Sequence, residues 1–356
     1  MKIAGVRIEP VRYRLRRKLV TQHGTLSERR GFRVVLIDSA DCEGCGESLP
    51  LGSAGTESLP ECEAALGRLR ESIGARSSSA DELRTRIAPV LHRRPAAACA
   101  LDQALLDLDA RQRGLPLARS LGASPPYSVD VNALLGADPL AETLRVAEEA
   151  LTRGYQTLKL KITSREEARA RLEALRRLAD STASGIRIRI DANGAWTRQL
   201  ALDILAEIAR FDIELVEQPV AADDLEGLAC VHRASPIPVA ADESLALPEG
   251  RSAALDGKLA SILVLKPMVL GGSSACASLA EAARRRGLRV LVTTTLEGPV
   301  GTAHAAHLAC AIADRDLACG LNSCEHVEGL FPPELVPRSG KIQLGNAEGI
   351  GEVCEG

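Results

Sequence analysis

Five charged residues, each closing a short apolar run, recur at near-equal intervals through the second half of this chain. They are Lys161 in TLKLKI, Asp191 in IRIRIDANG, Glu217 in IELVEQP, Asp242 in IPVAADES and Lys266 in ILVLKP. Successive spacings of about 30, 26, 25 and 24 residues match one strand–helix unit of a parallel α/β fold. Equivalent ends of successive parallel strands lie side by side. The spacing therefore predicts three carboxylates converging on one point with a lysine on either side, a divalent-metal site flanked by two potential bases.

The rest of the chain fits that frame. Eight apolar runs, at 128–134, 157–162, 187–191, 213–217, 238–242, 261–266, 289–294 and 317–321, alternate with amphipathic stretches, which argues for a (β/α)8 barrel. In the stretch 165–179, Ala168, Leu172, Leu175 and Ala179 share one helical face, and Ser164 with Glu167 reads as a capping box. The last helix is expected over Val300–Ala313. Ahead of the barrel, residues 3–15 and 32–38 alternate as strands of a small antiparallel sheet, and helical patterns follow at Leu59–Ile73 and 97–113. GASPPYS at 122–128 is rich in turn formers and marks a domain junction. We expect an α+β domain over 1–125, a barrel over 126–325 and a glycine-rich tail over 326–356 that returns to the first domain.

Composition excludes other classes. At 356 residues the chain is long enough for one large barrel and a smaller domain. Net charge is −3 and there are seven aromatics, so neither a basic stripe nor a stacking platform suggests nucleic acid. MKIAGVRIEPVRYRL has no continuous apolar segment of signal-peptide type, and no apolar run reaches about 18 residues, so neither export nor a membrane span is expected and the location reads as cytoplasmic. The sequence leaves homo-oligomerisation open. Of the ten cysteines, Cys99, Cys310 and Cys319 sit in apolar runs and read as buried thiols. Cys42 and Cys45 form a lone Cys-x-x-Cys in what looks like a hairpin turn, so a zinc or redox role is not expected.

In a barrel of this kind the reactive groups lie at the C-terminal strand ends, where Asp191, Glu217, Asp242 and Lys266 stand. Taken singly, each acid could be a helix cap or an ion-pair residue. Three on successive strands, with no histidine or thiolate, favour a hard cation, Mg²⁺ before Mn²⁺ or Zn²⁺. Lys159 and Lys161 alternate to the same side of their strand, and inward placement beside carboxylates costs less than burial under helices. A lysine near other cations and a metal has its pKa lowered and becomes a usable base. Lys266 should face Lys161 across the pocket. Together these groups suit removal of a proton α to a metal-bound carboxylate, with either racemisation or loss of a leaving group to follow.

The order KxK, DAN, EQP, DES and KP resembles the enolase superfamily in its muconate lactonizing enzyme-like subgroup, over nearly the whole chain. The resemblance implies a capping domain formed by the N-terminal segment and the tail. It implies Asp191, Glu217 and Asp242 as Mg²⁺ ligands, with Mn²⁺ as a substitute, and Asn193 and Glu243 behind them. It implies Lys161 as the base, Lys159 as its pKa-lowering neighbour, Lys266 as the second lysine, and a small-molecule carboxylate as substrate. Dipeptide epimerases of the subgroup carry an Asp-x-Asp pair after strand eight, whereas this chain reads CGLNSCEH with Asn322 and Ser323. A muconate cycloisomerase stays open as an alternative, though nothing positive in the sequence points to it. GESLPLGSAGTESL, ALDQALLDLDARQRGLPLA, VLKPMVLGG and VTTTLEGPVGTAHAAHLA are similar to the o-succinylbenzoate synthases, whose site some N-succinylamino acid racemases share.

On that reading a succinyl-hydroxy-cyclohexadiene carboxylate is dehydrated, with Lys266 protonated against the ring face. Candidate donors to the succinyl tail are Thr293, Thr294 and Thr295 with Gly271 and Gly272, although β-propensity accounts equally for the threonines. Loops at 18–26 and 48–57 match the family's two specificity loops. His23 reads as a loop histidine, Glu297 as a pocket or helix-start acid, and His304 and His307 as packing or surface residues. A non-catalytic ligand-binding barrel would require a lost ligand or base, and none is lost.

Overall fold

The alternation read in the first forty residues builds a four-stranded antiparallel sheet, described here from a computed structural model covering residues 2–21, 24–75, 78–136 and 139–353. Lys2–Thr21 and Gly24–Asp38 form a long hairpin, flanked by Glu43–Ser48 on one side and Ser78–Ser79 on the other. The hairpin pairs out to Thr21 and Gly24, so the backbone expected as an 18–26 loop is mostly its tip; His23 lies outside the described residues. Side chains of a strand alternate between two faces. Phe32, Val34 and Leu36 accordingly pack on the helices Leu59–Ala75, Ala80–Leu91 and Pro95–Gln112, while Val35 and Cys45 join the barrel's core. Ser79 and Glu82 close a reciprocal capping box on the second of these helices.

The glycines around Cys45 are explained by packing. A Cβ at Gly44 would lie 2.3 Å from the Ala104 carbonyl oxygen, and one at Gly46 would lie 2.1 Å from that of Ala100. The helix Pro95–Gln112 therefore rests on the strand backbone itself. The Cys45 amide donates to Asp107 at 2.9 Å, and both Cys42 and Cys45 are free thiols.

The barrel strands are Ala133–Leu135, Thr157–Lys161, Arg187–Asp191, Ile213–Glu217, Val239–Ala241, Ile262–Leu265 and Arg289–Val292, parallel and in sequential order. The eighth, expected over 317–321, contributes two parallel bridges, Cys319 to Val131 and Gly320 to Thr293, and these close the circle. The run expected at 128–134 splits. Ser128–Asp130 pairs antiparallel with Lys341–Gln343 of the tail, and only then does the chain enter the barrel. Other parts of the tail meet the first domain, Val327 bridging Leu15 and Gly349 bridging Pro116.

Helix faces follow the apolar spacing. Ala168, Leu172, Leu175 and Ala179 are buried on Arg165–Thr182, but Ser164 makes no side-chain cap there. The apolar helix Pro299–Ile312 is buried on nearly every side. A residue of the other domain caps it. Glu47 accepts from the Gly298 and Gly301 amides at 3.0 and 2.8 Å, supplying the acceptor that a helix start lacks. Burial, reinforced by nearby Glu297, pushes the Glu47 carboxyl up to about 7 against these two bonds. His304 and His307 pack within this junction. His304 Nε2 lies 2.8 Å from the Cys45 carbonyl, and His307 Nδ1 accepts from the Ala118 amide at 3.0 Å. Burial holds His307 down to about 3, so its ring is neutral.

Candidate active site

The strand register places three of the charged residues level with one another. Lys161 is the Cα partner of Asp191, and Asp191 is the partner of Glu217. Asp242 and Lys266 stand one residue past their strands, at the starts of the short helices Glu243–Ala246 and Pro267–Leu270. Lys161 is on the second strand and Lys266 follows the sixth, so the two stand on opposite walls of an eight-membered barrel.

The three acids are nearly sealed from solvent, at 7, 2 and 4 % exposure for Asp191, Glu217 and Asp242. Such burial is tolerable only with close countercharge. Lys159 supplies it to two of them, its Nζ lying 2.9 Å from Asp191 and 2.7 Å from Glu217. Lys266 pairs with Asp242 at 2.5 Å. Burial opposes the charge on both lysines, but the surrounding carboxylates win and raise their pKa values. Burial also acts on the acids. It raises Glu217 and Asp242, helped by Asp191 and Asp242 at the first and by Glu243 at the second. At Asp191 it is outweighed by Lys159, and the carboxyl is lowered.

The donor set fits a divalent cation. Among the described residues no group of three or more His, Cys, Asp or Glu side chains stands ready to hold a metal ion, and Lys159 and Lys266 each take up carboxylate oxygens of the cluster. Three buried carboxylates, those of Asp191, Glu217 and Asp242, with half-buried Glu243 beside them, nevertheless face only two paired lysines among the described residues, and burial together with mutual repulsion drives Glu217, Asp242 and Glu243 up. Glu243 Oε2 is buried without a hydrogen-bond partner. An all-oxygen set with excess negative charge is what a hard dication neutralises.

Around this cluster the structure adds residues that the sequence reading passed over. Gln218, fully buried, accepts from the Asp242 and Ser244 amides at 3.0 and 3.1 Å and donates to Val220 O and Ser244 Oγ at 3.0 and 2.8 Å. Its amide thereby locks the ends of two strands that carry acids. The signal was present in the EQP motif, whose middle residue directly follows Glu217. Asn193 donates its backbone N–H to Asp191 at 3.0 Å and its side-chain amide to Glu243 at 3.2 Å, adopting φ 44° to do so. On the other flank, Arg171 donates to the carbonyls of Lys161 and Gly136 at 3.3 and 2.7 Å.

The candidate substrate contacts scatter. Thr293 Oγ is buried and unpartnered, Thr294 Oγ lies 2.9 Å from Ser323 Oγ, and the Thr295 hydroxyl donates to Glu297 at 2.8 Å. Gly271 and Gly272 turn against the capping domain. A Cβ at Gly272 would lie 2.5 Å from Asp102 Oδ2, and the Ser274 amide donates to that oxygen at 2.9 Å. Gly272 also has φ 127°, a conformation that L side chains rarely adopt. Gly272→Ala is expected to destabilise the protein by about 3 kcal/mol, read as a lower urea midpoint with an unchanged m-value. An unchanged midpoint would show that Asp102 yields freely. Of the two loops, 48–57 reaches the cluster: Ala54 lines a small cavity with Asp242, Glu243 and Lys266.

Residues 142–354 match the enolase C-terminal domain-like family. The chain belongs to the enolase superfamily. It is 31% identical to the L-Lys-D/L-Arg epimerase of Methylococcus capsulatus over 334 residues, covering 93% of this chain and 91% of that one. It is 34% identical to muconate cycloisomerase 1 of Rhodococcus opacus over 219 residues (60% of this chain, 58% of the relative) and 37% identical to the o-succinylbenzoate synthase of Thermobifida fusca over 210 residues (57% and 63%). These last two matches span less than two-thirds of the relatives' length. A dipeptide epimerase of M. capsulatus, solved with Mg and the dipeptide L-Arg-D-Lys, superposes with a TM-score of 0.87 at 27% identity, covering 99% of each chain. The chain is thus an enzyme of the superfamily, with a (β/α)8-type barrel and an α+β cap. Its relatives include both lyases and isomerases. Among the described residues, no helix of this superfamily member is long and apolar enough to cross a membrane.

Proposed function

We propose that this enzyme is a Mg²⁺-dependent o-succinylbenzoate synthase, which dehydrates a succinyl-hydroxy-cyclohexadiene carboxylate. Asp191, Glu217 and Asp242 would hold the cation, with Asn193 and Glu243 fixing their orientation. A cation bound there supplies the positive charge that a substrate carboxylate needs while its α-proton is removed. Lys161 takes that proton at Nζ, and Arg171 holds the backbone beneath it. Lys266 stays protonated on the opposite wall and stabilises the developing negative charge. Lys159 stays protonated between Asp191 and Glu217 and fixes both carboxylates. Departure of the hydroxyl from the neighbouring carbon completes the loss of water and leaves an aromatic ring.

The observation that carries the choice of substrate is the loop after the eighth strand. Asn322 and Ser323 stand where a dipeptide epimerase would need carboxylates for an ammonium group. The one acid beside them, Glu325, is committed to the Tyr155 hydroxyl and, at 3.0 Å, to Arg153. Similarity to the Thermobifida enzyme supports the same reading. The second reading, racemisation of an N-succinylamino acid or epimerisation of a dipeptide, is favoured by the near full-length match to the Methylococcus epimerase.

Ultraviolet turnover with the cyclohexadiene carboxylate and Mg²⁺ separates the two. Loss of diene absorbance that stops on chelation and returns with Mg²⁺ is expected. A Mg²⁺-loaded protein that leaves the diene untouched would reject the synthase. α-Proton exchange in D₂O with N-succinylamino acids and dipeptides would then identify the substrate.

A further inference from the structure

We propose that Arg29 is a positioning residue that holds the Leu49–Gly55 loop over the active site by tying the loop's stem to the barrel; this rests on the functional reading above only for which face is catalytic. Arg29 belongs to the hairpin of the capping domain and is 2% exposed. Its fork is aimed at the loop. Nη2 donates to the Leu49 carbonyl at 2.5 Å, and Nη1 to that of Pro50 at 3.2 Å. The same Nη2 lies 3.5 Å from Thr295 Oγ, three residues past the seventh barrel strand. Nε is buried with no partner. Burying a guanidinium is expensive, and here the compensation comes at longer range from two buried carboxylates, Glu47 and Glu297.

Beyond the stem, the loop is a self-contained turn. The Leu51 amide donates to Thr56 Oγ at 2.6 Å, and the Ala54 and Gly55 amides return to Leu51 and Gly52 at 2.8 and 3.0 Å. The turn is thus tied to itself, and the bonds at Leu49 and Pro50 are what fix its stem. Its far side touches the barrel closely, since a Cβ at Gly55 would lie 2.6 Å from that of Ala246, and Ala54 lines the cavity beside Asp242 and Lys266. Leu49 is the fixed point, its amide donating to Met268 Sδ at 3.4 Å and its carbonyl accepting from Arg29. Lysine at position 29 would keep the charge but could not span two successive carbonyls and a hydroxyl at once.

The test compares Arg29→Met and Arg29→Lys with the wild-type enzyme. Amide hydrogen exchange is followed over residues 49–56 without substrate, and KM and kcat are measured on the cyclohexadiene carboxylate. In Arg29→Met, exchange in the loop is expected to rise at least about 10-fold while the barrel strands stay protected. KM is expected to rise about 10-fold or more, kcat to fall less than about 3-fold, and Mg²⁺ affinity to stay unchanged. If Arg29→Met does not fold, Arg29→Lys carries the test, with the same pattern expected at smaller amplitude. A folded variant whose loop exchanges as in the wild type overturns the proposal. So does a loosened loop with an unchanged KM. The exchange measurement needs no substrate, so an error in the substrate assignment leaves it interpretable.

Discussion

Lys161→Ala abolishes α-proton exchange, a loss of about 1,000-fold or more, and leaves Mg²⁺ binding intact. The size follows from what a positioned base contributes, about 100- to 10,000-fold. The selectivity follows from geometry. Lys159, one alternation earlier on the strand, is committed to Asp191 and Glu217, whereas no ion pair of Lys161 is found among the described residues. Removing Lys161 therefore leaves the ion pairs of Lys159 and Lys266 with the carboxylates in place. Exchange is followed by NMR in D₂O, and cation affinity by calorimetry on the same preparation. Retained exchange would take the base role away from Lys161. Lost exchange together with lost Mg²⁺ would mean that Lys161 supports the carboxylates instead.

Asp191→Asn weakens Mg²⁺ binding by about 100-fold or more, at the upper end of what losing even an outer partner of a metal ligand costs. The amide is close in shape to the carboxylate, so it removes charge without opening a cavity. It also takes away one of the two partners that hold Lys159, at 2.9 Å. Turnover at low Mg²⁺ should collapse and recover in part when the cation is raised, which separates weakened loading from lost chemistry. Calorimetric titration showing wild-type affinity would remove Asp191 from the metal site.

Much of the site was legible before any coordinates. Five charged residues at the ends of five apolar runs sufficed, because parallel strands force sequence period into spatial adjacency. Asp191 and Glu217 are Cα partners, as the spacing required. The helix faces were equally readable, since burial at Ala168, Leu172, Leu175 and Ala179 needs only a 3.6-residue period. The capping box at Ser164 was misread because its pattern is short and the Ser164 side chain makes no cap bond in place. Thr295, read as a substrate donor, carries a hydroxyl committed to Glu297. Gly272 makes way for Asp102, from a helix some 170 residues earlier.

By itself, then, the sequence determined the barrel, the capping sheet and the side-by-side placement of Lys161, Asp191 and Glu217, because each rests on a local period or on a residue type at a strand end. Only the tertiary structure decided how the two domains are joined. The Glu47 cap on Gly298 and Gly301 and the reach of Arg29 to Thr295 link residues more than 250 positions apart in the chain. Such contacts have no period to betray them. They depend on which surfaces meet when two cores dock, and a charged residue that will be buried there looks, in the linear chain, like any other on a solvated strand.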